Sequence, residues 1–434
     1  MTKRRFVSLL PALAPILCLS STIHAAERWS QWRGGDQRGV ADGERFPLRW
    51  SEEQGVAWKL QIPGRGGSTP VVRDGVAYLT TGHEGQNRLL AIDAETGEVR
   101  WQTSIGEDRG PKHKKGSGSN PSPVVDDQRV FVYFRSGDVA AVDLSGKKIW
   151  HLNLQDLYGD DELWWDLGNS PLLTDTALIL VSMQTPPAPS YLLALDKRTG
   201  DVAWKTDRDV EAPQEAAQSY TTPISVDVDG TPAIAVMGAD HLTLHAEASG
   251  EWLGQLGGFN PTQNGFFRSI ASPVASGQRI VCPYSRGETL TCVDLARLAS
   301  GAERDAILWH RDDLGSDVPT PAIHGNLVLL INDGKSARGT VHALDLASGE
   351  LAWEVQLPRS RLGFSSSPLV AGNHLYVTRE DATTFVVGPL DAASPELVSE
   401  NPLADTEEYT VASPVPANGS LLIRTRNYLY RLSE

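Results

Sequence analysis

Ala91-Ile-Asp-Ala-Glu-Thr-Gly-Glu-Val-Arg-Trp101 is the stretch on which the fold turns. An apolar strand ends in an aspartate whose carboxylate can take the amides of the next turn. Gly97 supplies the positive φ that turn needs, and the chain leaves as a second strand carrying a large indole. The construction returns as Ala141-Val-Asp143 with Gly146, Ala194-Leu-Asp196 with Gly200, and Ala343-Leu-Asp345 with Gly349. Tryptophan stands at the matching place in Trp101, Trp150, Trp204, Trp252, Trp309 and Trp353. Before each unit comes a Ser/Thr-Pro step: Thr69-Pro70, Ser122-Pro123, Ser170-Pro171, Thr222-Pro223, Ser272-Pro273, Thr320-Pro321, Ser367-Pro368 and Ser413-Pro414, 46 to 53 residues apart.

Each period holds four short strand patterns, in the first unit Pro70–Val72, Val76–Thr80, Arg88–Asp93 and Glu98–Gln102. A four-strand period near fifty residues is a propeller blade. Proline suits the first residue of an innermost strand, where no ladder donor is needed, and the indoles are placed to wedge between adjacent blades. The last unit ends without its Trp-bearing strand, and Gly55-Val-Ala-Trp58-Lys-Leu-Gln-Ile62 supplies one from the start of the chain. The expected fold is therefore all-β: an eight-bladed propeller whose last blade is completed by an N-terminal strand, leaving no open edge. Two units are degenerate, with Leu244-His-Ala246 for Ala-x-Asp in the fourth and Pro395-Glu-Leu-Val398 for the Trp strand in the seventh.

Lys and Arg total 39 against 54 Asp and Glu, a net charge of −15, which excludes a nucleic-acid backbone as partner. Residues 1–25 read as an export signal: Lys3, Arg4 and Arg5, then an apolar run interrupted by prolines, then Ile23-His24-Ala25. Leu17 precedes Cys18 where lipoprotein processing needs a small residue, so a periplasmic or secreted protein without a lipid anchor is expected. Residues 26–54 form a lead-in and 55–434 a single propeller domain, with no transmembrane segment and a monomer as the expected state. In an oxidising compartment Cys282 and Cys292 are a candidate cross-strand disulfide about a turn at Gly287; two small buried residues are the alternative.

The Ala-x-Asp-x-x-Thr-Gly-x-x-x-Trp pattern, matched by Ala91 to Trp101 and Ala194 to Trp204, resembles the pyrroloquinoline-quinone-type β-propeller repeat family. Length and blade count resemble its outer-membrane assembly branch, the BamB-like propellers. The opening Trp29-Ser-Gln-Trp32-Arg33-Gly34-Gly-Asp36 resembles the start of many exported propellers. The quinone-dependent dehydrogenases of the superfamily imply an adjacent Cys-Cys pair and a calcium held by Glu, Asn and Asp. No Cys-Cys occurs here, so no cofactor and no metal are expected; PQQ with calcium belongs to the alternative reading. His83-Glu84-Gly-Gln-Asn87 lacks the second zinc histidine, Asp227-Val-Asp229-Gly230 lacks the calcium-loop glutamate, and no nucleophile elbow or phosphate loop is present.

Fold does not give function, but long connections from outermost to next innermost strand mark the face where a ligand would sit. One carries the cationic cluster Lys112, His113, Lys114 and Lys115, and the next pairs Trp164 and Trp165 with acidic neighbours, as at a protein or sugar hot spot. Counting five residues back from each repeat proline gives Arg65, Gly118, Asp166, Gln218, Arg268, Ser316, Gly363 and Tyr409. With Asn120, Tyr220 and Phe364 these are expected to ring the channel mouth, with Arg65 and Arg268 as the anion contacts. Trp58, Trp101, Trp150, Trp204, Trp252, Trp309 and Trp353 are expected to dock blades. The expected function is a non-catalytic scaffold binding a protein or extended peptide; the alternative is a channel-sited oxidoreductase or carbohydrate-active enzyme.

Overall fold

The structure, a computed structural model, describes residues 29–43, 45–334, 338–403 and 408–434; the export signal expected over residues 1–25 lies outside them. Among the described residues, strands β1 to β32, numbered in chain order, form eight four-stranded antiparallel sheets. The first blade comprises β2 (Val71–Arg73), β3 (Val76–His83), β4 (Gln86–Asp93) and β5 (Val99–Glu107), and six more repeat that order. The eighth joins both ends of the chain. β1 (Val56–Gln61) pairs with β32 (Tyr428–Leu432), Val56 opposite Leu432 and Gln61 opposite Tyr428, beyond β31 (Ser420–Arg424) and β30 (Val415–Ala417). The ring is an eight-bladed propeller closed by its N-terminal strand, as the repeat predicts.

The repeat residues act locally and between blades. Asp93 Oδ1 accepts from the Glu95 and Thr96 amides at 2.9 Å, and Asp345 Oδ1 from those of Ala347 and Ser348, so the strand-closing carboxylates hold their turns. The indole of one blade then lies on the glycine turn of the next. Trp58 donates to the Ala94 carbonyl (3.3 Å), Trp101 to Leu144 (2.9 Å), Trp150 to Lys197 (3.1 Å), Trp204 to Glu247 (3.1 Å) and Trp309 to Leu346 (3.0 Å). A Cβ at Gly97, Gly146, Gly200, Gly250 or Gly349 would fall 2.4–2.9 Å from those rings. Trp252 departs from the pattern. The fifth blade replaces the glycine turn with a short helix (Leu295–Ala299), and Trp252 instead packs on His245 of its own blade at 4.7 Å. Trp353 packs in the apolar cluster of the sixth and seventh blades.

The Ser/Thr-Pro steps hold the inner circumference. Each Ser/Thr amide donates to the hydroxyl of the next step: Thr69 to Ser122, Ser122 to Ser170, Ser170 to Thr222, Thr222 to Ser272, Ser272 to Thr320, Thr320 to Ser367 and Ser367 to Ser413, all 2.8–3.0 Å. Ser413 donates to Thr69 at 3.0 Å and completes the circle. A hydroxyl residue is needed here because each of these amides has no ladder partner and finds its acceptor in the hydroxyl of the neighbouring blade.

Below this circle the lead-in crosses the channel. The Trp29 amide and carbonyl pair with Val72, the Ser30 carbonyl takes the Val125 amide, and the Arg38 and Gly39 carbonyls take those of Ile323 and Val370. Gln31 Oε1 accepts from Leu173, and Gln37 both accepts from Ser225 and donates to the Pro223 carbonyl. Arg33, 2% exposed, donates to the carbonyls of Pro321 (2.8 Å) and Pro368. The innermost strands, which would otherwise present bare edges to the channel, are thus capped in six blades. The Trp29–Asp36 motif is the sequence of this plug.

One expectation is corrected. Cys282 and Cys292 are free, buried thiols. Cys282 lies opposite Thr291 and Cys292 opposite Val281, so the two side chains leave the sheet on opposite faces and enter separate apolar clusters. The short 3-10 turn Ser285–Gly287 shifts the register by one residue from the symmetrical hairpin about Gly287.

Candidate functional site

Antiparallel order puts the outermost-to-innermost loops on one face, around the channel mouth. The cationic loop is fastened there from beneath. The two oxygens of Asp166 take the amides of Lys112 (2.8 Å) and His113 (3.0 Å), and Arg135 Nη2 donates to the Arg109 and Gly110 carbonyls, both 2.7 Å. Gly116 is obligatory for this approach, since its Cβ would lie 2.1 Å from the Asp166 carboxylate. Burial pushes the Asp166 carboxyl above its usual range, against the pull of those amides and of Arg135. Asp166 is an internal pin and not a rim contact. Lys112 reaches Asp161 at 3.3 Å, so the acidic neighbour loop neutralises part of the cluster.

Trp164 and Trp165 stand out of the surface, 50% and 40% exposed. Their backbone is held: the Trp164 amide donates to Gln218 Oε1 (3.0 Å) and the Trp165 amide to the Tyr220 hydroxyl (3.3 Å). The Trp165 indole donates to Glu215 Oε1 at 2.7 Å, and the ring meets the edge of His113 with centroids 5.1 Å apart. Gln218 and Tyr220 are therefore buried supports of the pair. Glu215, which the sequence reading missed, also faces Arg268 (3.5 Å) and Arg286 (3.6 Å), and Arg286 donates to the carbonyl of exposed Phe266 at 2.8 Å. Arg268 faces Asp317 as well (3.4 Å), which leaves little of its charge for an anion.

Where the same loop turns toward the eighth blade, cations gather. Arg65, Lys115, Tyr409, Arg424 and Arg426 line a small pocket between the eighth and first blades. Lys115 pairs with Glu380 at 2.6 Å, and that carboxylate also takes the Ser365 hydroxyl at 2.6 Å. Burial beside Glu380 holds the Tyr409 phenol well above its ordinary range. Lys114 contributes its carbonyl to Arg426 (2.9 Å). Asn120 Oδ1 takes the amide and hydroxyl of Ser117 at 2.9 and 2.8 Å, shaping the loop. Ser316 is buried and donates to the Pro319 carbonyl, Gly118 approaches Asp108 and Gly363 approaches Glu380. Phe364 is a core residue whose ring is tilted against Phe385, with centroids 6.3 Å apart. Arg424 and Arg426 were also missed; a cation closing the apolar strand Leu421-Leu-Ile-Arg424 is the signal that could have found the first.

A calcium-held quinone would need converging carboxylate and amide oxygens. Among the described residues no three His, Cys, Asp or Glu side chains form a metal-holding group. The mouth carboxylates are committed elsewhere: Asp166 and Glu380 as above, and Asp333 to the amides of Asp317 (2.8 Å) and Val318 (3.0 Å). These donors do not fit that cofactor, and no step through it is derived. No described helix is long and apolar enough to cross a membrane.

The family model described as outer membrane protein assembly factor BamB matches residues 40–175, 163–355 and 299–398. No curated protein sequence matches the chain. Among solved structures, BamB from Moraxella catarrhalis superposes with a TM-score of 0.61 at 14% identity, covering 87% of this chain and 99% of its own. Quinohemoprotein alcohol dehydrogenase from Comamonas testosteroni gives 0.64 at 14%, covering 93% and 80%. A europium-containing methanol dehydrogenase gives 0.66 at 10%, covering 91% and 89%. At such identities the likeness is one of fold.

Proposed function

The chain belongs to the outer membrane protein assembly factor BamB family, and on that premise we propose that it is an exported, non-catalytic scaffold whose channel-mouth face binds a protein or an extended peptide. The observation that carries this reading is the exposed Trp164–Trp165 pair, fixed by Gln218, Tyr220, Glu215 and His113. Aromatic anchors held in place before binding lose little entropy when a partner covers them. Exposed Phe266, reached through Glu215 and Arg286, extends the apolar surface toward the next loop. The acidic rim selects a partner segment with positive or neutral flanks. No resident cofactor takes part.

The dehydrogenase relatives keep a second reading in view, a quinone enzyme using the same face. The two are separated by one pair of measurements. Trp164→Ala with Trp165→Ala should abolish co-purification of the partner from the envelope while leaving the unfolding temperature within about 1 °C, because both side chains are substantially exposed. Stoichiometric binding of quinone with calcium, accompanied by dye reduction, would replace the scaffold by the enzyme.

A further inference from the structure

Two guanidiniums lie wholly inside the ring wall, Arg208 and Arg424, 1% and 0% exposed. Their surroundings differ. Arg208 spends its donors on Thr243 Oγ1 (2.9 Å), the carbonyls of Gly238 and His241 (3.0 Å each) and the Met183 sulfur (3.1 Å). It is a satisfied strut. Arg424 gives Nη1 to the Ser68 carbonyl (3.0 Å) and hydroxyl, while Nε and Nη2 have no partner. No carboxylate pairs with it among the described residues. A buried charge without a counter-ion is among the least favourable arrangements a fold can hold. Burial lowers the Arg424 pKa to about 9, so the group remains charged at neutral pH.

The pocket above Arg424 concentrates the same charge. Arg65 is exposed at its edge and makes no ion pair among the described residues. Arg426 lies over the Tyr409 ring at 5.7 Å, and Lys115 lies 5.9 Å from the same ring. Gly66 also lines the pocket; a Cβ there would fall 1.8 Å from Arg424 Nη2, so only glycine lets the loop lie over this guanidinium. Four cations therefore meet around one small pocket, and among the described residues Glu380 is the one carboxylate paired to them, in a chain of net charge −15.

We propose that this pocket binds a compact oxyanion of two or more charges, a phosphate or a carboxylate, held by Arg65 and Arg426 with Lys115 at the rim and Arg424 beneath. The anion supplies the counter-charge that the wall around Arg424 lacks. The site shares one loop with the tryptophan pair, since His113 lies against Trp165 while Lys115 and Gly116 line the pocket, but its cations are not the residues that hold the indoles.

The test is thermal unfolding of the full protein in rising inorganic phosphate at constant ionic strength, with chloride as the reference and succinate as the carboxylate arm. Phosphate or succinate should raise the unfolding temperature by about 3 °C at a hundredfold excess over its Kd, and the stronger of the two identifies the chemistry. Arg65→Ala with Arg426→Ala should remove the shift, whereas Trp164→Ala with Trp165→Ala should keep it. Arg424→Met should unfold at a higher temperature than wild type in chloride and respond to neither anion. The proposal is overturned if neither anion exceeds chloride, if the shift survives in Arg65→Ala with Arg426→Ala, or if Arg424→Met is less stable and still responds. Should Arg424→Met not fold, the Arg65 and Arg426 double variant decides.

Discussion

Replacing Gly200 and Gly230 separately by alanine isolates the contribution of the indole wedge. Both glycines have nearly the same strained backbone, φ +82 and +85. An alanine in that region costs about 1–2 kcal/mol, and a small unfolded-state gain offsets part of it at both sites. At Gly230 nothing lies within 4 Å of the new Cβ, so Gly230→Ala should cost about 1 kcal/mol. At Gly200 the Cβ would lie 2.8 Å from Trp150 Cδ2. The indole must move, with overpacking of about 1–3 kcal/mol and loss of its hydrogen bond to the Lys197 carbonyl, worth about 1 kcal/mol. Gly200→Ala should therefore cost about 3–5 kcal/mol. Urea unfolding followed by far-UV circular dichroism measures both, and Trp150→Ala closes a double-mutant cycle in which the two changes at the wedge are less than additive by about 2–4 kcal/mol. Equal costs at Gly200 and Gly230, or an additive cycle, would refute inter-blade docking by the tryptophans.

Other outcomes follow from the same structure. Burial raises the Asp240 carboxyl to about 7 while Tyr284 and Asn260 donate to it. Its folded pKa is above the unfolded one, so its contribution is present at low pH and lost as pH rises toward 7; the stability of Asp240→Asn relative to wild type should increase over that window. Cys282 and Cys292 should resist an aromatic disulfide reagent until the protein unfolds, then titrate as free thiols, since both are buried and the Cys292 thiol is pushed up to about 12. Gly39→Ala places a Cβ 2.1 Å from Arg33 Nη2 and should expel the plug, detected as proteolysis within residues 29–43 at a protease level the wild type survives.

The strand order and ring closure were legible because their signals are local. Asp93, Gly97 and Trp101 mark a turn and its flanks within one short stretch, and Trp58 supplies the strand the last unit lacks. What each signal touches was not legible, because its partner sits one blade away. Thr69 and Ser122 read as strand starts, and their hydrogen bond needs the curvature of the ring. The five-before-proline count failed at Asp166, Gln218 and Ser316, and the added positions Tyr220 and Phe364 failed with them, because the loops fold differently above a common circle, turning nominal rim positions into supports and core. The cysteine register slipped because a 3-10 turn is asymmetric. Arg33 lay inside the quoted Trp29–Asp36 opening but nothing in it marked the guanidinium as enclosed, and Arg424 closed an apolar strand without a motif; only the packed plug and wall show that both are buried.

Docking of a partner on the Trp164–Trp165 face is tested most directly by a photo-crosslinking amino acid placed at position 164, with position 229 on the opposite face as its control, in cells exporting the full protein. A defined protein adduct from 164 that is absent from 229, and absent when Trp165 is alanine, is the expected result. Indistinguishable adducts from the two faces, or none from 164 while the purified protein takes up quinone with calcium and reduces dye, would contradict it.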